Sequence, residues 1–256
     1  MADLEAMARQ AGEILRRAFR AGGNVYHKGM IDLVTDADRQ SEEFLIAEIK
    51  HRFPDDRIVA EESGGVPGED CCVWFIDPLD GTVNYAHGLA IFSVSIAYAE
   101  GGELRLGTVY DPISDEIFSA TKTGGALLNG ETIQTTVTDA LDQSLLVTGF
   151  PYDIRTNPAN NLDNYARFAL LSQGVRRLGS AALDLCYVAA GRFDGYWELS
   201  LESWDLAAGA LIAKEAGARV SKVNGRGDIL TPPYSVIAAN PALHELMLDV
   251  LTDRQA

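Results

Sequence analysis

A chain of 256 residues, 47% hydrophobic and carrying a formal charge of −16, has apolar material for one large domain or two small ones. Its acidity excludes nonspecific binding to nucleic acid or to an anionic membrane, which requires a cationic face. Three cysteines and four scattered histidines exclude a disulfide framework and structural zinc, and no apolar run approaches the roughly 20 residues of a membrane helix. The first residues form an amphipathic pattern containing acids, unlike a signal peptide, so the expected location is the cytoplasm.

Leu4, Met7, Ala8, Ala11, Ile14, Leu15, Ala18 and Phe19 recur at helical spacing over residues 2–20, and Gly22-Gly23 stops that helix. Lys28-Gly29 falls in the following loop, where a solvated lysine is the expectation and a cation closing over phosphate the alternative. A second helix is expected over 36–51: Thr35 followed three residues later by Asp38 is a capping signal, and Phe44, Leu45, Ile46 and Ile49 supply a buried stripe. Asp36 and Asp38 serve such a helix start either as caps or as carboxylates facing a cleft. Ile58-Val-Ala is an apolar run ending in Glu61 and Glu62, with Ser63-Gly64-Gly65 breaking the chain. The two glutamates alternate in direction, so one faces inward with the strand and the other is solvated.

Val73–Ile76 reads as a short buried strand that Pro78 cannot continue, so the chain is expected to turn there. Asp77 and Asp80, three apart across the turn, bring two carboxylates together, with the Leu79 carbonyl as a further oxygen donor; such hard ligands suit Mg²⁺. Gly81-Thr82 then opens a helical turn whose N–H groups suit an anion such as phosphate. The same residues also suit an ordinary turn in which Asp80 caps that helix. His87, just beyond, is expected to be structural.

Alternation of apolar and polar residues over 91–131, broken at Gly101-Gly102, Asp111-Pro112 and Gly124-Gly125, predicts antiparallel strands and hairpins. The second half predicts strands at 145–148, 194–198, 218–223 and 235–239 interleaved with helices near 158–172, 180–190 and 205–216, hence α/β layers. The polar stretch Thr135–Gln143 marks a break without a flexible linker. The expected organisation is an N-terminal α+β sub-domain, 1–137, and a C-terminal α/β sub-domain, 138–256, sharing one body. Arg176-Arg177 is expected at the surface in salt bridges, including intersubunit ones, with a contact to the far end of a substrate or to a second phosphate as the alternative. Trp204-Asp205 precedes a helix, Leu206–Ala213, rich in small residues that permit close backbone approach; its aspartate is a helix cap or a carboxylate projected into a cleft.

Four motifs, Asp32-Leu-Val-Thr-x-x-Asp38, Glu61-Glu62-Ser63, Trp74–Asn84 and Trp204-Asp205-Leu-Ala-Ala-Gly209, together resemble the inositol monophosphatase family of Mg²⁺-dependent, lithium-sensitive phosphatases, over nearly the whole chain. The resemblance implies a layered αβαβα sandwich of the sugar-phosphatase type and a homodimer. It implies that Glu61, Asp77 and the Leu79 carbonyl hold one metal, that Asp77, Asp80 and Asp205 hold a second, and that a site takes two or three Mg²⁺. Thr82 and Asp38 would orient the nucleophilic water. The Gly81 and Thr82 amides would take the phosphate, while Gly179, Ser180, Ala181 and Glu198 would line the alcohol side. Tyr85 and Ala60 stand where many members have Phe and Gly, away from the implied ligands.

The physics agrees with such a role, since two unit charges about 4 Å apart cost about 4 kcal/mol even at an effective dielectric of 20, so clustered carboxylates call for cations. Paired metals activate a water and stabilise the leaving alkoxide, and no Ser/His/Asp triad is expected. The implied substrate is L-myo-inositol 1-phosphate. Histidinol phosphate, fructose 1,6-bisphosphate and adenosine 3′,5′-bisphosphate are rivals on the same core, and a regulatory protein-binding role is the non-enzymatic rival. An EF-type calcium module is disfavoured by the lack of a twelve-residue loop.

Overall fold

The computed structural model describes residues 1–21, 25–27, 33–66 and 68–252. Lys28, Gly29 and Asp32 lie outside the described residues, as do Gly22 and Gly23.

The expected periodicities become five layers. Helices α1 (Ala2–Ala21) and α2 (Asp36–Arg52) cover one face of a seven-stranded sheet. A short antiparallel pair, β1 (Val25–His27) and β2 (Leu33–Thr35), precedes α2. The large sheet runs in chain order through β3 (Asp56–Ala60), β4 (Glu69–Asp80), β5 (Ser93–Glu100), β6 (Glu103–Asp111), β7 (Glu116–Thr121), β8 (Gly125–Leu128) and β9 (Glu131–Thr132). All its pairings are antiparallel except β3 with β4. A five-residue helix, α3 (Thr82–Ala86), follows β4 directly.

The second sheet comprises β10 (Leu145–Thr148), β11 (Gly174–Arg176), β12 (Gly195–Glu198), β13 (Arg219–Ser221) and β14 (Val236–Ala239), in the order β11-β10-β12-β14-β13. Helices α5 (Ala181–Ala189) and α6 (Ser203–Glu215) lie between the sheets, while α4 (Leu162–Leu171) and α7 (Pro241–Leu251) cover the outer face of the second. Mixed α/β layering of the αβαβα kind is therefore what the chain adopts. The buried stripe of α1, Leu4, Met7, Ala8, Ala11 and Leu15, packs into one core with Leu45, Ile49 and the first sheet. A second core surrounds α5 and α6 between the sheets.

Three local departures bear on the site. Pro78 does not end β4, which continues to Asp80 through a bulge: Asp77 pairs with Ser95 and Asp80 with Ser93, three residue steps against two. A bulge leaves an extra residue without a ladder partner, so a residue lacking an N–H is tolerated there. Asp80 does not cap α3 either; its N-cap is Gly81 at φ +100°, a left-handed conformation that suits glycine. Asp205 is not the N-cap of α6 but its third residue, accepting a hydrogen bond from the Glu202 N–H at 2.7 Å in a capping box. Elements that the alternation did not predict are β1, β2, β11 and α7.

The small residues of α6 have the expected consequence. A Cβ on Gly209 would stand 2.7 Å from Leu185 Cβ, so glycine is what lets α5 and α6 meet. Both are anchored to the site, and Gly209→Val is expected to lower unfolding free energy by about 1–3 kcal/mol through overpacking, read as a shifted urea midpoint at unchanged slope.

Candidate active site

Parallel pairing of β3 with β4 sets Ala60 opposite Ile76, so the next residues, Glu61 and Asp77, lie side by side where β3 ends. The bulge then carries Asp80 to that end, with Ser93 and Ser95 of β5 facing it. Ser95 donates to the Trp204 carbonyl at 3.3 Å, tying the start of α6, and hence Asp205, to the same place. Four carboxylates from three separate chain segments thus line one cavity of about 480 Å³.

Neighbouring groups hold this arrangement. Asp77 accepts from the Leu79 N–H at 3.0 Å, and Ser41 donates to the Pro78 carbonyl at 3.0 Å, fastening the bulge to α2. Buried Glu42, also on α2, accepts from the Glu62 and Ser63 N–H groups at 2.8 and 2.9 Å and so shapes the turn that presents Glu61. Of the two glutamates, Glu61 lines the cavity and Glu62 does not; both are half-buried. Asp80 lies over the start of α5, accepting from the Ser180 hydroxyl at 2.6 Å and the Ala181 and Ala182 N–H groups at 3.2 and 2.8 Å. It caps a helix after all, one that is 100 residues away.

Asp38 uses both oxygens. Oδ2 accepts from the Thr35 N–H at 2.9 Å and from the Thr35 hydroxyl, closing the capping box of α2, while Oδ1 lies 3.2 Å from the Thr82 hydroxyl. Thr82 Oγ1 is also 3.0 Å from the Leu79 carbonyl, so its single proton chooses between two acceptors. Asp38 is wholly buried behind Thr82 and does not line the cavity; every other residue singled out for the site does, namely Glu61, Asp77, Leu79, Asp80, Gly81, Thr82, Gly179, Ser180, Ala181, Glu198 and Asp205. His87 is exposed at the end of α3, outside the cavity.

The cavity is strongly acidic. Eight acidic side chains line it, against one cation among the described residues, Arg177. Arg177 makes no ion pair among the described residues and lines the cavity, and Arg176 is exposed with its guanidinium near the Val175 carbonyl. Burial and then the like charges of Glu61, Asp80 and Asp205 push Asp77 well up from the ordinary carboxylate range; burial and Glu61 do the same to Asp205. Asp80 rises by burial against the pull of its hydrogen bonds. Glu198 is pushed to about 7, chiefly by burial, opposed by the Tyr196 hydroxyl that donates to it at 2.6 Å.

Among the described residues no three His, Cys, Asp or Glu side chains form a ready-made metal cluster. Asp77, Asp80 and Asp205 each accept from protein donors. The donor set nevertheless fits a hard divalent cation, because it is all oxygen and because Glu61, Asp80 and Asp205 all oppose the ionisation of Asp77, a repulsion that a cation would relieve.

Sequence reasoning missed Glu42, whose role depends on a tertiary contact, and the Phe150–Asp153 loop, which lines the far wall. It also missed Asp184, a buried acid on the cavity wall. That one had a signal: a charge inside the apolar helix Ala-Ala-Leu-Asp-Leu-Cys-Tyr-Val-Ala.

A layered fold of this kind with an acidic cleft between its sheets defines a class of phosphatases. The chain belongs to the inositol monophosphatase family, whose model matches residues 2–256. An inositol-1-monophosphatase of Mesorhizobium japonicum is 41% identical over 244 residues, 94% of this chain and 91% of that protein. The Nus factor SuhB of Pseudomonas aeruginosa is 40% identical over 253 residues, 95% and 92% of the two chains. The solved structure of inositol monophosphatase from Anabaena superposes with a TM-score of 0.87 at 39% identity, covering 97% of this chain and 93% of that one. The protein is accordingly a phosphatase, of a family that acts on small phosphorylated substrates and is generally metal-dependent. No helix among the described residues is long and apolar enough to cross a membrane.

A carboxyl with a higher pKa in the folded state binds its proton more tightly there, so its contribution to stability is whole below the unfolded value and lost as pH rises through the folded one. For Glu198 that window runs from 4.5 to about 7. In chelator, stability should fall across it by on the order of 3 kcal/mol from this group, and Glu198→Gln should flatten the loss; equal pH slopes for wild type and variant in thermal melts would refute the assignment.

Proposed function

We propose that the chain is a Mg²⁺-dependent phosphomonoesterase that converts myo-inositol 1-phosphate and water to myo-inositol and phosphate. The observation that carries this reading is the placement of Glu61, Asp77, Asp80 and Asp205 around one cavity, in a chain of this family. Glu61, Asp77 and the Leu79 carbonyl would hold one Mg²⁺, and Asp77, Asp80 and Asp205 another, in a site of two or three ions. Bound Mg²⁺ supplies Lewis acidity, an activated water and compensation of phosphate charge.

The chain's own groups do the positioning. The Thr82 hydroxyl, backed by Asp38, orients the attacking water by hydrogen bonds, and the capping box on Thr35 keeps Asp38 from rotating away. Gly81 and Thr82 offer backbone N–H groups to phosphate oxygens at the cavity wall, beside Asp80 and Asp205. Gly179, Ser180, Ala181 and Glu198 line the side where the alcohol rests. Burial of the cluster between two sheets strengthens each of these interactions by lowering the local dielectric. One cation, Arg177, among the described lining residues favours a monophosphate over the bisphosphates.

A second reading, binding to a protein partner, is supported by relatives about 40% identical that bear the name Nus factor. It applies alongside catalysis, since the proposed ligand set is intact. A homodimer in the cytoplasm is part of the proposal, and sedimentation in solution tests the dimer.

Phosphate release from inositol 1-phosphate, histidinol phosphate, fructose 1,6-bisphosphate and adenosine 3′,5′-bisphosphate, with Mg²⁺ and with chelator, decides the substrate. Fastest release is expected from the inositol ester, with none in chelator; a bisphosphate turned over faster would reassign it. Asp77→Asn is expected to lower kcat by a hundredfold or more, about 2.7 kcal/mol of barrier, and Li⁺ in the millimolar range to inhibit the wild type. Turnover indifferent to Li⁺ would count against the second metal position. Loss of phosphatase activity in Asp77→Asn with the cellular phenotype intact would favour the partner-binding reading.

A further inference from the structure

One buried acid on the cavity wall takes no part in the steps above. Asp184 stands in the first turn of α5, is 1% exposed, and lines the cavity. Its Oδ1 is buried without a hydrogen-bond partner. A buried polar atom left unpaired costs free energy, so the group is maintained against a penalty.

Helix capping does not account for it. The Ala181 and Ala182 N–H groups go to Asp80, the Leu183 N–H to Ser180 Oγ, and Asp184's own N–H to the Ser180 carbonyl. Nor does an ion pair: Arg177 acts on Asp184 only as a charge at a distance, while Glu198 and Asp80 oppose its ionisation. The neighbours are themselves committed. Glu198 accepts from the Tyr196 hydroxyl and packs against Gly149, where a Cβ would lie 2.0 Å from Glu198 Oε2. Asp184 thus lines the cavity with one carboxyl oxygen unpaired, on the side where the alcohol is placed.

We infer that Asp184 is a specificity-determining residue, which reads a hydroxyl on the alcohol part of the phosphate ester beside Glu198. The inference rests on the phosphomonoesterase reading and deepens it. A hydroxyl satisfies Asp184 on binding, whereas an alcohol of bare carbon leaves it buried and unpaired in the complex. Sites that hydrogen-bond a substrate hydroxyl reject the analogue without it for that reason. Asp184 touches no reacting atom in this scheme.

The test compares phosphate release from myo-inositol 1-phosphate with that from cyclohexyl phosphate, its hydroxyl-free counterpart, in wild type, Asp184→Leu and Asp184→Asn. The wild type should prefer the inositol ester in kcat/KM. Asp184→Leu should reduce that preference by about tenfold or more, mainly through KM, whereas Asp184→Asn, which keeps the shape and an accepting oxygen, should reduce it by less than about threefold. Where circular dichroism shows that the Leu variant does not fold, Asp184→Ser carries the same comparison. A ratio unchanged in the variants, with both esters losing rate in proportion, overturns the inference and makes Asp184 architectural. So does a wild type that does not prefer the inositol ester. Release from neither ester by the wild type in Mg²⁺ overturns the inositol-ester reading, and this inference with it.

Discussion

Crowding of carboxylates at the end of β4 is the constraint on which the rest of the structure depends. Glu61, Asp77, Asp80 and Asp205 meet where two layers of the fold would otherwise bury apolar side chains. At about 4 Å and an effective dielectric near 20, each close pair costs about 4 kcal/mol, comparable with the entire stability of many domains. The architecture bears this cost because the supporting elements are over-determined: the bulge is held to α2 by Ser41, the Glu61 turn by Glu42, and the start of α6 to β5 by Ser95. Strain at a functional site is offset by packing elsewhere, and the wholly buried faces of α1, α5 and α6 supply that packing.

Asp80 shows how one side chain couples the halves of the molecule. It ends β4, next to the edge strand of the first sheet, yet its carboxylate accepts from the Ser180, Ala181 and Ala182 donors at the start of α5. The N-terminal end of a helix favours negative charge, so this contact partly compensates Asp80 for its burial. It also sets the distance between the residues proposed for metal and those proposed for the alcohol. Close α5–α6 packing at Gly209 is what brings Asp205 to the same cavity.

The alcohol side of the cavity feels the same crowding. Burial raises Glu198 against the Tyr196 hydroxyl and Arg177, and raises Asp184 against Arg177 alone, so both are driven toward the neutral form. Neutral carboxyl groups both donate and accept hydrogen bonds, the capacity that recognition of a hydroxylated ring requires. The β4 end holds the carboxylates proposed for metal and the β12 end those on the side proposed for the alcohol, and burial raises the acids of both.

Local chemistry was enough to read several parts of this molecule from its residues. The Thr35/Asp38 capping box, the stripe of α1, the strand Leu145–Thr148 and the close-packing face of α6 each depend on side chains a few positions apart, and each has the form expected from them. The motifs also marked the acids of the site, all but Asp38 of which line one cavity. Other features were decided only by tertiary structure, because the deciding partner is remote in the chain. Pro78 belongs to a strand since β4 bulges opposite Ser93–Ser95 of β5; Asp80 caps a helix 100 residues away rather than its own; Arg177 lines the cavity. The sequence by itself determined which titratable groups are present and the local patterns from which α1, α2, β10 and the small-residue face of α6 follow. Which carboxylates face one another, and which are left buried and unpaired as Asp184 is, depended on the parallel pairing of β3 with β4 and on the meeting of α5 with α6, contacts whose free energy resides in the assembled layers and in no single segment.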